Sequence, residues 1–73
     1  MIEERPFEPI YVHERAKCYL VIKEYEKALD DFNMVLSYQG SNQNAYLGRG
    51  FTFKALKKYQ LAANDFERAK VML

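Results

Sequence analysis

Residues that break helices are scarce in this sequence. Only two prolines and three glycines occur among its 73 residues, and both prolines lie before residue 10. From Ile10 onward, only Gly40, Gly48 and Gly50 interrupt sequence that is compatible with a helix. This shortage favours an all-α fold that follows a short lead-in segment, residues 1–9.

Cysteines and clustered metal ligands are almost missing. Cys18 is the single cysteine, which excludes a disulfide within the chain, and we expect it to have a packing role. His13 is the single histidine and has no cluster of ligands around it, so we expect no metal and no cofactor. The sequence contains no nucleophile motif and no glycine-rich phosphate loop, so we expect a protein that is not an enzyme.

The sequence also lacks a charge excess and a long apolar run. Its 11 Lys+Arg are balanced by 10 Asp+Glu, which argues against nucleic acid as a partner. The longest apolar run, residues 20–22, is far too short to cross a bilayer, and no segment of the sequence has the charged start and apolar middle of a signal peptide. We therefore expect no membrane partner and a cytoplasmic location.

Apolar residues are present at the spacing of amphipathic helices. Short polar connections at residues 23–24 and 57–58 join these helices in pairs. Gly40 is expected to supply the left-handed residue that ends the second helix, and Asn42 is among the candidates to cap the third. The pattern predicts four helices, at about residues 10–22, 25–38, 43–56 and 59–72.

The second half of the chain repeats the first half. A shift of 34 residues superimposes six identical pairs in the same order: Arg15/Arg49, Lys23/Lys57, Tyr25/Tyr59, Ala28/Ala62, Asp31/Asp65 and Phe32/Phe66. An internal period of this length indicates a repeat architecture with one helical hairpin in each unit. We predict a first hairpin over residues 10–42 and a second over residues 43–73, with no capping helix after it.

The period and its residues resemble the tetratricopeptide repeat. The first unit supplies Val12, Ala16, Tyr19, Tyr25, Ala28, Phe32 and Val35 to the family pattern, and the second supplies Tyr46, Gly50, Phe53, Tyr59, Ala62, Phe66 and Ala69. The resemblance implies an α-solenoid of two antiparallel hairpins in a right-handed superhelix. It also implies a structural core made of Ala16, Tyr19, Tyr25, Ala28, Phe32, Gly50, Phe53, Tyr59 and Ala62.

The same resemblance implies a binding surface. In this family the first helices of successive hairpins line a concave groove that binds a partner peptide or protein. The matching partner-binding positions here are His13, Lys17, Leu20 and Val21 in the first unit, with Asn44, Leu47, Phe51 and Lys54 in the second. Ile10 and Ala55 extend this surface at its ends.

A structural role in assembly is the alternative. The last helix carries Phe66, Ala69 and Met72 on the side where a next repeat would stack. Three or more repeats are usually needed for stability. We therefore expect a homo-oligomer or a longer repeat array that covers this end.

Two charges recur in both units, and the positive one departs from the family pattern. Arg15 and Arg49 stand where the family often has leucine, and Asp31 recurs as Asp65. Charges of opposite sign that recur in both units suggest ion pairs. The sequence leaves two pairings open, one within each hairpin and one between Asp31 and Arg49 across the hairpins.

Overall fold

The computed structural model describes residues 8–71, and these form four α-helices and no strand. The all-α class is thereby confirmed. Residues 1–7 of the predicted lead-in segment lie outside the described part. Residues 72–73 also lie outside it, and they include the predicted stacking residue Met72. The helices are α1 (Pro9–Val21), α2 (Tyr25–Tyr38), α3 (Gln43–Ala55) and α4 (Tyr59–Lys70).

The helices form two hairpins that pack side by side. α1 packs on α2 and α3 packs on α4, while α2 joins the hairpins by packing against α3. α1 also contacts α3, so the two first helices are neighbours. The described chain is therefore a helical-hairpin repeat, in which the first helices share one side.

Helix starts follow from local chemistry. Pro9 occupies the first turn of α1, where its missing N–H costs no hydrogen bond. Asn42 caps α3, because its side-chain oxygen accepts a hydrogen bond from the Ala45 N–H at 3.0 Å. The cap directs the chain from the end of α2 into the second hairpin.

The turn inside each hairpin is the same structure in both repeats. Lys23 and Lys57 adopt left-handed φ angles of 64° and 65°. The N–H of Glu24 donates to the Tyr19 carbonyl at 2.8 Å, and Lys58 donates to Phe53 at the same distance. These bonds are those of the Schellman motif, in which glycine usually supplies the left-handed residue. Lysine accepts the conformation at a cost of about 1–2 kcal/mol.

The prediction that Gly40 ends α2 in the left-handed conformation is wrong. No glycine of the described chain has a positive φ. α2 instead ends at Tyr38, and the N–H of its C-cap residue Gln39 donates to the Val35 carbonyl at 2.7 Å. A turn follows, in which the Asn42 N–H donates to the Gln39 carbonyl at 3.0 Å. Because this turn supplies the hydrogen bonds, no left-handed residue is required.

Small residues and one large ring build the core between the hairpins. Its buried cluster consists of Val12, Ala16, Ala28, Phe32, Val35 and Ala45. Phe32 is fully buried, and a methyl group built on Gly48 of α3 would overlap its ring. The absence of a side chain at Gly48 therefore sets how closely α3 approaches α2.

Other core expectations have mixed outcomes. Gly50 and Ala62 are buried, and Tyr19, Tyr25 and Phe53 are half-buried. The assignment of Tyr59 to the core is corrected, because its side chain is 61% exposed. No helix of residues 8–71 covers this flank of α4 as α3 covers α2. Cys18 is also exposed, against the expectation that it packs inside.

The repeated charges pair within each hairpin. Arg15 donates through Nε and Nη2 to both carboxylate oxygens of Asp31, each at 2.8 Å, and Arg49 makes the same two bonds to Asp65. Both aspartates are buried, and the hydrogen bonds raise the pKa of each arginine by stabilising its charged form. The alternative pairing between Asp31 and Arg49 is not the one that forms.

Each arginine is also held between aromatic rings. The guanidinium of Arg15 lies 5.7 Å and 5.9 Å from the ring centres of Tyr11 and Tyr19. That of Arg49 lies 5.5 Å and 5.8 Å from those of Tyr46 and Phe53. These distances fit cation–π contacts. The charge of each arginine is thus balanced by a carboxylate and contacted by two rings.

Candidate functional site

The predicted partner-binding residues lie on α1 and α3, and we call this surface the first-helix face. It consists of Ile10, His13, Lys17, Leu20 and Val21 on α1, with Asn44, Leu47, Phe51, Lys54 and Ala55 on α3. Ile10 is 77% exposed, Val21 80% and Phe51 56%. Large apolar side chains left in water on one side of a molecule are typical of an interaction surface.

One end of the first-helix face contains a hollow of about 160 Å³. It lies where the start of α1 meets the α2–α3 connection. The structure thereby brings His13 and Asn44 together, two residues that the sequence placed in different repeats. The lining residues are Pro9, Ile10, His13, Glu14, Gln39, Asn42 and Asn44.

His13 presents an unsatisfied polar atom beside this hollow. Its Nε2 is buried and has no hydrogen-bond partner within residues 8–71. The imidazole packs edge-on against the Phe32 ring, with centroids 5.5 Å apart and planes at 79°. Burying a polar atom without a partner is costly.

The other end of the first-helix face is apolar. The Phe51 ring packs against Phe66 of α4, with centroids 5.3 Å apart and planes at 71°. Leu47 and Phe66 also line a depression of about 370 Å³, together with Gln43, Ala69 and Lys70. The structure thus joins predicted partner-binding residues to residues that were predicted for end stacking.

The remaining predicted residues are more dispersed. Leu20 is half-buried and packs against the core, so only part of it is available to a partner. Lys17 reaches Glu14 on its own helix, with Nζ 3.4 Å from Oε2. Lys54 is exposed near the end of α3. The two lysines therefore place positive charge on both first helices.

The predicted stacking residues differ in exposure. Phe66 is half-buried, and its ring packs against Phe51 of α3. Ala69 is only 1% exposed, and its carbonyl accepts a hydrogen bond from Gln43 Nε2 at 2.8 Å. Ala69 is therefore corrected from a stacking contact to part of the packing inside the second hairpin.

Sequence reasoning missed Gln39 and Asn42 as lining residues of the hollow. Asn42 is fixed by its cap and by the hydrogen bond that its Nδ2 donates to Gln39 Oε1 at 2.8 Å. The amide-rich stretch from residue 39 to residue 44 was the available signal. Only the packing of α1 on α3 shows that this stretch borders His13.

The described residues contain neither a metal-binding cluster nor a membrane-spanning helix. Within residues 8–71, no group of three His, Cys, Asp or Glu side chains is arranged to hold a metal ion. None of the four described helices has the length and apolar character needed to cross a membrane.

A comparison with curated proteins finds one similarity to report. Human RNA polymerase II-associated protein 3 is 33% identical to the chain over 63 residues, which cover 86% of the chain and 10% of that protein. The chain thus spans about a tenth of the length of this relative. No model of a known protein family matches the chain, and no solved structure matches it.

Proposed function

We propose that the chain is a non-catalytic protein-binding module of the tetratricopeptide-repeat type. The first-helix face binds an extended segment of a partner protein across α1 and α3. The observation that carries this proposal is the exposed Phe51 ring, held by Phe66, at the apolar end of a face whose other end is a polar hollow.

The apolar end supplies affinity in this proposal. Aromatic side chains bury a large area at low entropic cost, and they are frequent among the residues that dominate binding energies. Contact with Phe66 limits the motion of the Phe51 ring before a partner arrives. An apolar side chain of the partner would rest between Phe51 and Leu47.

The polar hollow supplies orientation. Its amide side chains can donate and accept hydrogen bonds, and His13 lines the same hollow. A backbone or amide group of the partner fits such a surface. This end would fix the direction in which the partner segment lies.

Charge favours an acidic partner segment. Residues 43–71 contain six Lys or Arg and two Asp or Glu, whereas residues 8–42 contain four and six. Lys54 adds its charge to α3 beside the apolar end. Acidic residues that flank an apolar anchor would complement this distribution.

The human relative agrees with a binding role at a general level. Its name describes association with RNA polymerase II. A repeat segment that recognises another protein would suit such an association. Segments of RNA polymerase II are therefore the first candidates to screen as partner peptides.

The Phe51→Ala substitution tests the proposal. Peptides selected on the chain from an acidic, apolar library are expected to lose at least thirtyfold in affinity, since truncating a central aromatic anchor typically costs about 2 kcal/mol or more. The affinities are measured by calorimetry, and circular dichroism checks that the variant remains folded.

Leu61→Ala is the matched control. Leu61 is 44% exposed on α4, outside the first-helix face, so its removal deletes similar apolar surface. Affinity should remain within twofold of the parent chain. Equal losses in both variants, or no loss in Phe51→Ala, would remove the first-helix face as the binding surface.

A further inference from the structure

The turn between α3 and α4 contains a concentration of positive charge. Lys54, Lys57 and Lys58 are all exposed, and residues 54–64 contain no Asp or Glu. None of these three side chains has a hydrogen-bond or ion-pair partner within residues 8–71. We call Lys54, Lys57 and Lys58 the basic turn. Its charges are therefore available to a partner.

The first hairpin has the same turn without this charge. A shift of 34 residues places Leu20, Lys23 and Glu24 at the positions of the basic turn, and their charges sum to zero. The backbone is the same in both turns, because Lys23 and Lys57 have φ angles of 64° and 65° and the closing hydrogen bonds match. The fold of the turn therefore does not require three lysines.

Lys58 occupies a position where positive charge is unfavourable. It is the N-cap residue of α4, and the partial positive charge at the start of a helix repels a cation. The first turn of α4 contains no acidic residue that would offset this repulsion. In α2, by contrast, the N-cap residue is Glu24 and the first turn contains Glu26. The second repeat thus has a destabilising charge where the first has stabilising ones.

Lys57 also opposes the local backbone preference. Like Lys23, it adopts a left-handed φ angle, which glycine accepts more readily than a residue with a Cβ atom. Residues 57 and 58 therefore lower the stability of the turn, and neither side chain has a compensating contact within residues 8–71. Departures of this kind from local rules are frequent at functional sites.

We propose that the basic turn binds a run of acidic side chains in a partner protein. The inference rests on the proposed function for the class of partner, and it adds where the acidic part of the partner binds. Lys54 lies three residues after Phe51 on α3, so the basic turn continues the first-helix face at its apolar end. The acidic run thus lies next to the apolar residue that contacts Phe51.

A protein segment fits this patch better than a nucleic acid or an anionic membrane does. Those two partners present negative charge over a long distance, which favours an extended basic surface. Here the equivalent turn of the neighbouring hairpin carries Glu24 and Glu26, both exposed, which would repel such a surface. A short acidic run has its charges at a few points and avoids these carboxylates.

The test uses a fluorescein-labelled peptide of eight glutamates, which has no apolar residue for the first-helix face. Its binding to the full 73-residue chain is measured by fluorescence anisotropy at about 50 mM NaCl, because salt screens such contacts. Lys58→Glu with Gln60→Glu gives the second turn the acidic residues of the first. We expect binding at least tenfold weaker and a higher urea midpoint, since acidic residues favour the start of α4.

Lys70→Glu is the matched control for net charge. Lys70 is exposed and has no ion-pair partner within residues 8–71. It lies about 18 Å from Lys58 along α4, which exceeds the distance over which salt leaves exposed charges unscreened. Affinity for the glutamate peptide should remain within twofold of the parent chain.

Lys57→Gly separates the charge of the basic turn from its backbone. Glycine adopts the left-handed conformation without the steric cost, so the urea midpoint should rise. Binding of the glutamate peptide should nevertheless weaken at least threefold, because one ammonium group is lost. Unchanged binding would show that Lys57 has no part in recognition.

Other results would overturn the inference as a whole. Absence of binding, or equal losses in Lys58→Glu with Gln60→Glu and in Lys70→Glu, would show that the basic turn is not a specific site. Phosphatidylserine vesicles and a single-stranded oligonucleotide are parallel probes. Tighter binding of either, with the same dependence on Lys58, would replace the acidic protein segment as the partner.

The inference and the proposed function can fail separately. The glutamate peptide has no apolar anchor, so its binding reports on the basic turn alone. The peptides selected from the acidic, apolar library report on Phe51 through the Phe51→Ala variant. Loss of the first result with retention of the second would remove the basic turn and leave the first-helix face as the binding surface.

Discussion

Phe32→Ala is expected to lower the free energy of unfolding more than any other substitution proposed for this chain. Phe32 is the largest fully buried side chain, and it contacts both hairpins through His13 and Gly48. Truncating a buried phenylalanine costs about 3–5 kcal/mol. A domain of this length has a free energy of unfolding of roughly 4–11 kcal/mol. The loss is measured by urea unfolding followed by circular dichroism.

Phe66→Ala is the matched comparison, because Phe66 occupies the same position in the second repeat. Its ring is only half-buried, so the expected loss is about 1–2 kcal/mol. Equal losses at the two positions would contradict the description, since they would require the outer side of α4 to be as well covered as that of α2.

Gly48→Ala is expected to destabilise the chain although alanine favours helices. The added methyl group overlaps the Phe32 ring, which is fully buried. Overpacking a core costs about 1–3 kcal/mol, whereas alanine gains only about 1 kcal/mol over glycine within a helix. Thermal and urea unfolding should therefore both show a net loss.

Two comparisons isolate the steric cause. Gly40→Ala should be nearly neutral, because the nearest contact of an added methyl group is 3.7 Å away and the φ angle is not positive. In a Phe32→Leu background, the shorter side chain makes room and Gly48→Ala should become neutral or stabilising. Destabilisation that persists in that background would disprove the overlap as its cause.

Much of the fold was accessible from the sequence because the repeat supplies two observations of each feature. Arg15 and Asp31 recur 34 residues later, and the structure pairs them within each hairpin in identical geometry. The four helices end within two residues of their expected limits in the described chain. The scarcity of helix-breaking residues and the helical spacing of the apolar residues were sufficient to predict the helix limits.

Other features depend on contacts that one sequence does not reveal. Tyr25 and Tyr59 have the same residue type and position, but α3 flanks only α2, so their exposures differ. Gly40 suggested a left-handed ending, whereas Lys23 and Lys57 adopt that conformation within turns closed by backbone bonds. Residue preference was a poor guide where hydrogen bonding determined the backbone.

The candidate site was predictable in composition but not in layout. The repeat pattern predicted His13 and Asn44 as partner-binding residues. Only the contact between the first helices places them around one hollow. Phe51 was expected to face a groove by itself, and the structure pairs its ring with Phe66. These relations link residues that are distant in sequence and carry no periodic signal.

Stacking of α3 on α2 through Phe32 and Gly48 underlies the continuous first-helix face. Nuclear Overhauser contacts in solution test it most directly. We expect strong contacts between the Phe32 ring protons and the α-protons of Gly48, alongside contacts between Phe66 and Gly50 within the second hairpin. Contacts of Phe66 with Gly50 but none between Phe32 and Gly48 would show two hairpins that fold without stacking, and would contradict the account.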